Sequence, residues 1–156
     1  MKLLFKQKLF SWFDSYHIFD ENGDIAYEVQ GKLAWGHRLH IHNSSGVHIG
    51  TVQERILTLL PKFELYLNDQ YVGEIRKEFT FLKPRYTLDC HGWDIQGDFL
   101  GWNYQVTDNS GNFIMLARKE IFNLTDTYSI SINDPDHALY SLMIVLAIDA
   151  ANCSNS

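Results

Sequence analysis

Residues 138–151, Ala-Leu-Tyr-Ser-Leu-Met-Ile-Val-Leu-Ala-Ile-Asp-Ala-Ala, constrain the fold more than any other stretch of the chain. Asp134-Pro135-Asp136 just before them reads as a helix start. Asp134 can accept backbone N–H bonds as the N-cap, and proline is tolerated at the first helical position. The predicted helix covers about 135–151. Leu139, Tyr140, Leu142, Met143, Ile144, Val145, Leu146 and Ile148 point in every direction around its axis. A surface helix keeps its apolar residues on one stripe, so a helix apolar on all sides must be surrounded. The run is shorter than the ~20 apolar residues that span a bilayer. The surrounding material must therefore come from the rest of the chain. Asp149, Asn152, Ser154 and Asn155 are expected to return the chain to solvent.

The rest of the chain carries a repeat. Phe5-Lys6-Gln7-Lys8-Leu9-Phe10 leads to Tyr16, and Val52-Gln53-Glu54-Arg55-Ile56-Leu57 leads to Phe63. Ile75-Arg76-Lys77-Glu78-Phe79-Thr80 leads to Tyr86, and Ala117-Arg118-Lys119-Glu120-Ile121-Phe122 leads to Tyr128. In all four, eleven residues separate the first apolar position from the ring. Two weaker copies run from Val29 to Leu39 and from Ile95 to Tyr104. The strand openers are thus Tyr16, Leu39, Phe63, Tyr86, Tyr104 and Tyr128, spaced by 23, 24, 23, 18 and 24 residues. Turn signals such as Asp20-Glu21-Asn22-Gly23, Asn43-Ser44-Ser45-Gly46 and Asp108-Asn109-Ser110-Gly111 follow them, because glycine takes positive φ without a Cβ clash. Each unit holds about two strands, so six units predict about twelve. Short strands at regular spacing indicate a sandwich or barrel. A ring of strands with the helix through its middle satisfies both features.

A chain of 156 residues is one domain of ordinary size, 1–156. It can bury ~70% of the surface its unfolded form exposes, so it needs no disulfide or metal staple. Two cysteines, Cys90 and Cys153, make no disulfide scaffold. Lys6, Gln7 and Lys8 break the N-terminal apolar run, so a secretory signal is not expected. The expectation is a soluble cytoplasmic protein, peripheral at the membrane where it docks. A net charge of -6 argues against a general grip on nucleic acid.

The order and spacing of these elements resemble the tubby C-terminal-like superfamily, in particular the short bacterial members of its LURP-one-related branch. The residues that carry the resemblance are Lys6-Gln7-Lys8-Leu9-Phe10, Asp20-Glu21-Asn22-Gly23, Lys77-Glu78-Phe79-Thr80-Phe81-Leu82-Lys83-Pro84, Gly92-Trp93-Asp94-Ile95-Gln96-Gly97-Asp98-Phe99 and Val145-Leu146-Ala147-Ile148-Asp149. The resemblance implies a mainly β fold, a closed barrel of about twelve antiparallel strands around a C-terminal hydrophobic helix. It implies no enzymatic activity and no cofactor. Tubby proteins bind phosphoinositides through basic residues on the barrel wall, so an anionic phospholipid or membrane surface is the implied ligand. A regulatory module with a protein partner is the alternative. The scramblase branch carries a membrane anchor and a calcium segment. This chain has only a few polar residues after the helix and no alternating run of Asp, so neither property is carried over.

Four groups of residues are candidates for chemistry. Arg76, Lys77, Lys83 and Arg85 lie close together with Glu78 as the only acid among them, a composition that favours phosphate oxygens. Lys2, Lys6 and Lys8 form a second basic patch, which the repeat assigns to the first barrel strand. His40 and His42 alternate with Leu39 and Ile41. A hairpin through Ser44-Ser45-Gly46 would pair Ile41 with Ile49 and His42 with His48, putting three imidazoles on one face as weak candidates for zinc. Asp94 and Asp98 as a glycosidase pair, and Cys90 with His91 as a dyad, read better as structural. Trp12, Trp35 and Trp102 are expected to seal the barrel walls or ends.

Overall fold

Along most strands, buried and exposed residues alternate, so one face of each hairpin needs a partner. In the computed structural model, which describes residues 1–5, 15–122 and 125–153 except the side chains at 33, 121, 122, 125 and 126, that partner is the helix. The strands are β1 (Lys2–Phe5), β2 (Ser15–Asp20), β3 (Ile25–Ala34), β4 (Gly36–Asn43), β5 (His48–Glu54) and β6 (Lys62–Leu67). They continue as β7 (Gln70–Lys77), β8 (Tyr86–Asp89), β9 (Asp94–Asp98), β10 (Asn103–Thr107), β11 (Phe113–Phe122) and β12 (Thr125–Ile132). All join one 12-stranded antiparallel sheet, ordered β8-β7-β6-β5-β4-β3-β2-β1-β12-β11-β10-β9. The first and last strands pair, Leu3 opposite Ile130 and Phe5 opposite Tyr128. The sheet edges are β8 and β9, which are consecutive in sequence, so the barrel is nearly closed with a seam between them.

The repeat encodes the register of the hairpins. Val52 pairs with Leu65, Ile75 with Leu88 and Ala117 with Ile130. The weaker copies do the same, Val29 with Ile41 and Ile95 with Val106. In each case the first apolar residue of a unit meets the residue two beyond the strand opener. Nearly all of these residues are buried against the helix. The copy that begins at Phe5 runs through 6–14, outside the described residues.

Three of the connections between units, β2–β3, β4–β5 and β10–β11, are polar turns of one recurring design, whereas β6 and β7 are joined by Asn68 and Asp69, both at positive φ. Asp20 Oδ1 accepts from the backbone N–H of Asn22 and Asp24 at 2.9 and 3.0 Å. Asn43 Oδ1 accepts from Ser45 and Val47 at 3.0 and 2.9 Å. Asp108 Oδ1 accepts from Ser110 and Asn112, both at 2.8 Å. Gly23, Gly46 and Gly111 hold the left-handed position of each turn, at φ +86°, +79° and +83°. These turns lie at one end of the barrel, and the connections within units lie at the other. One register differs from the expectation. His42 does pair with His48, but a bulge beside Ile41 places it opposite Gly50 rather than Ile49.

The helix enters from the polar end. Asp134 caps a single 3-10 turn at Pro135–His137 by accepting from Asp136 N at 2.9 Å, and α1 (Ala138–Cys153) follows. Leu142, Met143, Ile144, Val145, Leu146 and Ile148 are all buried, on every side of the axis. Each such side chain contributes about 1.5–3 kcal/mol relative to exposure. Gly50 lets β5 approach closely, since a Cβ there would sit 3.2 Å from Leu139 Cδ1. Around the entry, Trp93 packs edge-on to His137 and Tyr140, with ring centroids 5.0 and 5.9 Å away. At the far end a chain of rings runs Phe5, Tyr128, Trp102, Tyr104, Phe99 and Tyr86.

Asp149 corrects the expected exit to solvent, because it is only 6% exposed. Its negative charge acts on Tyr16, Tyr86 and Tyr104, and burial together with that charge pushes all three phenols well above their usual range. Asn152 is held by Tyr86 Oη, which donates to its Oδ1 at 2.6 Å, and itself donates to Phe99 O at 3.2 Å. Residues 154–156 lie outside the described residues.

Replacing Leu142 by Ala should lower the unfolding free energy by about 2–5 kcal/mol, through lost burial and the cavity left behind. The fully exposed Leu59, replaced by Ala, should change it by less than about 0.5 kcal/mol. Urea titration of the two variants measures both.

Candidate functional site

The sequence grouped Arg76, Lys77, Lys83 and Arg85 by proximity, and the structure sorts them. Ile75 faces the core, so Arg76 on the same strand faces outward, where its Nε lies 3.8 Å from Glu74 Oε1. Lys77 is half-buried at the strand end, and burial pulls its ammonium below the usual range. Lys83 and Arg85 are exposed on the β7–β8 connection. That loop is fixed by Glu78 N donating to Arg85 O at 2.8 Å, by Thr80 Oγ1 donating to Lys83 O at 2.6 Å, and by the Thr87 hydroxyl donating to Glu78. Among the described residues, Lys77, Lys83 and Arg85 form no ion pair. Three cations therefore stand around one ordered loop, free to meet an external anion.

The loop also carries Phe79, Phe81 and Leu82, all exposed, with the two Phe rings 5.2 Å apart. Sequence reasoning missed this, although a signal was present. Phe79 falls at the apolar position that follows the charged cluster of the repeat, the position of Ile56, and in both units that position lies on a connection between strands. Trp35 is a correction of the same kind: it seals nothing and is 89% exposed at the β3–β4 tip. Trp102 does belong to the ring chain near the helix exit, and Trp12 lies outside the described residues. Trp93 packs over the helix entry.

Beside this loop, a cavity of about 480 Å³ opens at the seam, lined by residues of both sheet edges, including Arg85, Glu78, Tyr86, Asp94 and Gln96. Asp94 and Asp98 stand at opposite ends of β9. Asp98 Oδ1 accepts from Gly101 N at 3.0 Å, which ties that carboxylate to its own turn. Cys90 is buried, and burial with the Asp89 charge pushes its thiol up to about 11. A thiol held protonated at neutral pH is a poor nucleophile. Lys2 of the second basic patch is bound to Glu120 at 3.1 Å, while Lys6 and Lys8 lie outside the described residues.

The three histidines do come together on one outer face. His40 and His48 stack with centroids 4.2 Å apart and planes 15° from parallel, and His42 lies 5.4 Å from His48. His48 Nε2 is 2.9 Å from Gly50 O and 2.8 Å from Thr51 Oγ1. A carbonyl oxygen only accepts, so that nitrogen carries the proton. Stacked rings direct their in-plane lone pairs side by side and not toward a common point. Among the described residues, no three His, Cys, Asp or Glu side chains are placed to hold a metal ion.

This stack should make stability depend on acid. Burial, then the neighbouring His48 and Arg38, hold His40 down at about 4. In the unfolded chain the same group titrates near ~6.5. The unfolded state therefore binds the proton first, and stability falls as pH drops from ~6.5 toward ~4. His40→Gln should flatten that part of a melting-temperature-against-pH profile.

The comparisons with known proteins agree with this architecture. The uncharacterized protein YxjI of Bacillus subtilis (strain 168) is 29% identical over 150 residues, covering 96% of this chain and 92% of that one. An X-ray structure of an Arabidopsis thaliana protein superposes with a TM-score of 0.63 at 14% identity, covering 98% of this chain and 90% of that one. That likeness shows a shared fold. The LURP-one-related family matches residues 1–149, and the chain belongs to that family.

Proposed function

We propose that the chain acts as a single non-enzymatic domain that docks on anionic phospholipid headgroups through the β7–β8 loop. The observation that carries this reading is the placement of Lys77, Lys83 and Arg85 around one ordered, apolar-tipped loop, with no ion pair to any described residue. Arg76 adds charge from the outer wall. Phosphate oxygens suit such a cluster, Arg by paired hydrogen bonds and Lys by point charge. The filled barrel interior and the unreactive Cys90 support a binding role over a catalytic one. No described helix is long and apolar enough to cross a membrane, which fits docking at the surface.

The test is sedimentation with vesicles of phosphatidylcholine and phosphatidylglycerol. Wild type should pellet at low salt and be released as salt rises, since surface attraction decays over a Debye length of ~10 Å at 0.1 M. Each basic residue near an anionic surface is worth about 1 kcal/mol. The double variant Lys83→Glu and Arg85→Glu should therefore lose more than about tenfold in partitioning, with an unchanged melting temperature. Wild type left in the supernatant at every anionic fraction would remove the lipid reading. A stoichiometric protein partner indifferent to the two reversals would establish the protein-interaction alternative.

A further inference from the structure

The large apolar side chains with the greatest exposure are not scattered. Leu59, Leu57, Leu82, Phe81, Trp35 and Phe79, and then Leu100 at 63%, all lie on connections within repeat units. In a meander of antiparallel strands, those connections share one end of the barrel. They are also tied together. Gln53 Nε2 donates to Trp35 O at 3.4 Å, linking the β3–β4 tip to β5. Lys77 N donates to Pro61 O at 2.9 Å, linking the β5–β6 loop to the start of the β7–β8 loop. Leu57 is held outward with φ at +62°, a conformation that a branched side chain adopts at a cost. Three apolar tips thus stand side by side on a rigid sheet.

Charge follows the same axis. Lys32, Lys83 and Arg85 flank the apolar tips, together with Arg55 and Lys62, which pair with Glu64 and Glu74, whereas Asp20, Glu21, Asp69, Asp108 and Asp136 sit on or beside the turns at the opposite end. An anionic plane approaching this barrel is attracted at one end and repelled at the other. Side-chain chemistry at the attractive end matches a bilayer interface. Trp favours the headgroup level, Phe and Leu bury at the boundary with the acyl chains, and basic residues lie above against lipid phosphate.

From these observations, and resting on the lipid reading above, we infer that the barrel docks end-on to an anionic bilayer. In this pose the tips at Trp35, Leu57–Leu59 and Phe79–Leu82 enter the headgroup region and the polar turns face away from it. The tips carry backbone N–H and C=O groups that hydrocarbon would leave unpaired, so insertion stops at the interface. Apolar faces at interfaces bury to ~5–10 Å.

The experiment uses the full chain with Cys153→Ser, the buried Cys90 left in place, and one added cysteine, Leu57→Cys, Phe81→Cys, Ser45→Cys or Asn109→Cys. Each carries an environment-sensitive fluorophore and is mixed with phosphatidylcholine and phosphatidylglycerol vesicles containing nitroxide-labelled lipid. Labels at 57 and 81 should shift to the blue and be quenched. Labels at 45 and 109 should do neither. As a label-free arm, Leu57→Ser with Phe81→Ser should weaken partitioning at least about tenfold, on the ~0.8 kcal/mol per buried methylene scale. Phe113→Ser, at the other end, should leave it unchanged. Both substitutions are at exposed sites, and the melting temperature checks folding. Vesicle binding with equal quenching at both ends, or with none at 57 and 81, overturns the end-on pose and leaves the headgroup reading standing. No vesicle binding by unlabelled wild type overturns both. Binding of these tips to a purified protein, with no vesicle binding, replaces the bilayer with that protein.

Discussion

The enclosure of α1 is the interaction on which the rest of the molecule depends. A helix with its side chains is ~10–12 Å across, and this one has no polar stripe to show to water. Only a wall that surrounds it can bury it, and a nearly closed antiparallel sheet provides that wall, its strands paired with each other everywhere but at the β8–β9 seam. The enclosure then decides where recognition can occur. Side chains fill the barrel axis, so the ends, the seam and the outer wall are left for partners.

The repeat turns that requirement into a polarised object. Each unit is a hairpin whose apolar partners meet in fixed register around the helix. Three of the connections between units are built from an Asp or Asn that accepts two backbone N–H groups, followed by a left-handed glycine. Among the described residues, connections within units carry the apolar tips. The alternation of the two kinds of connection makes the two ends chemically unlike. No single loop shows this, because it comes from the order of the strands.

Much of the fold was legible because it rests on periodicity. The eleven-residue gaps marked the recurring hairpins and their strand openers, and the structure then shows the register, Val52 with Leu65, Ile75 with Leu88 and Ala117 with Ile130. The helix, its Asp134 cap and the histidine face followed from spacing as well. What sequence could not carry was anything set by three-dimensional closure. Asp149 looks like a solvent exit, yet the ring chain around the barrel end buries it. A bulge changes Ile41's partner without a marker in the residues. Trp35 looks like a core ring because aromatic residues are core residues on average, and only its place at a hairpin tip shows otherwise. The candidate site was legible as charge and illegible as shape. Arg76 and Arg85 are near in sequence, but strand alternation and the loop place them in different surroundings.

The order of elements along the chain has a consequence for synthesis. The wall comes first and the piece that fills it comes last. β1 obtains its second neighbour only when β12 exists, and the inward faces of the strands obtain their partner only with α1. Contacts that join the two ends of a chain are slow to form, since a long loop must close before they stabilise anything. A nascent chain therefore holds a half-wrapped, apolar sheet with open edges until α1 leaves the ribosome. Sheltering that intermediate is a demand on the cell's holding chaperones, set by topology alone.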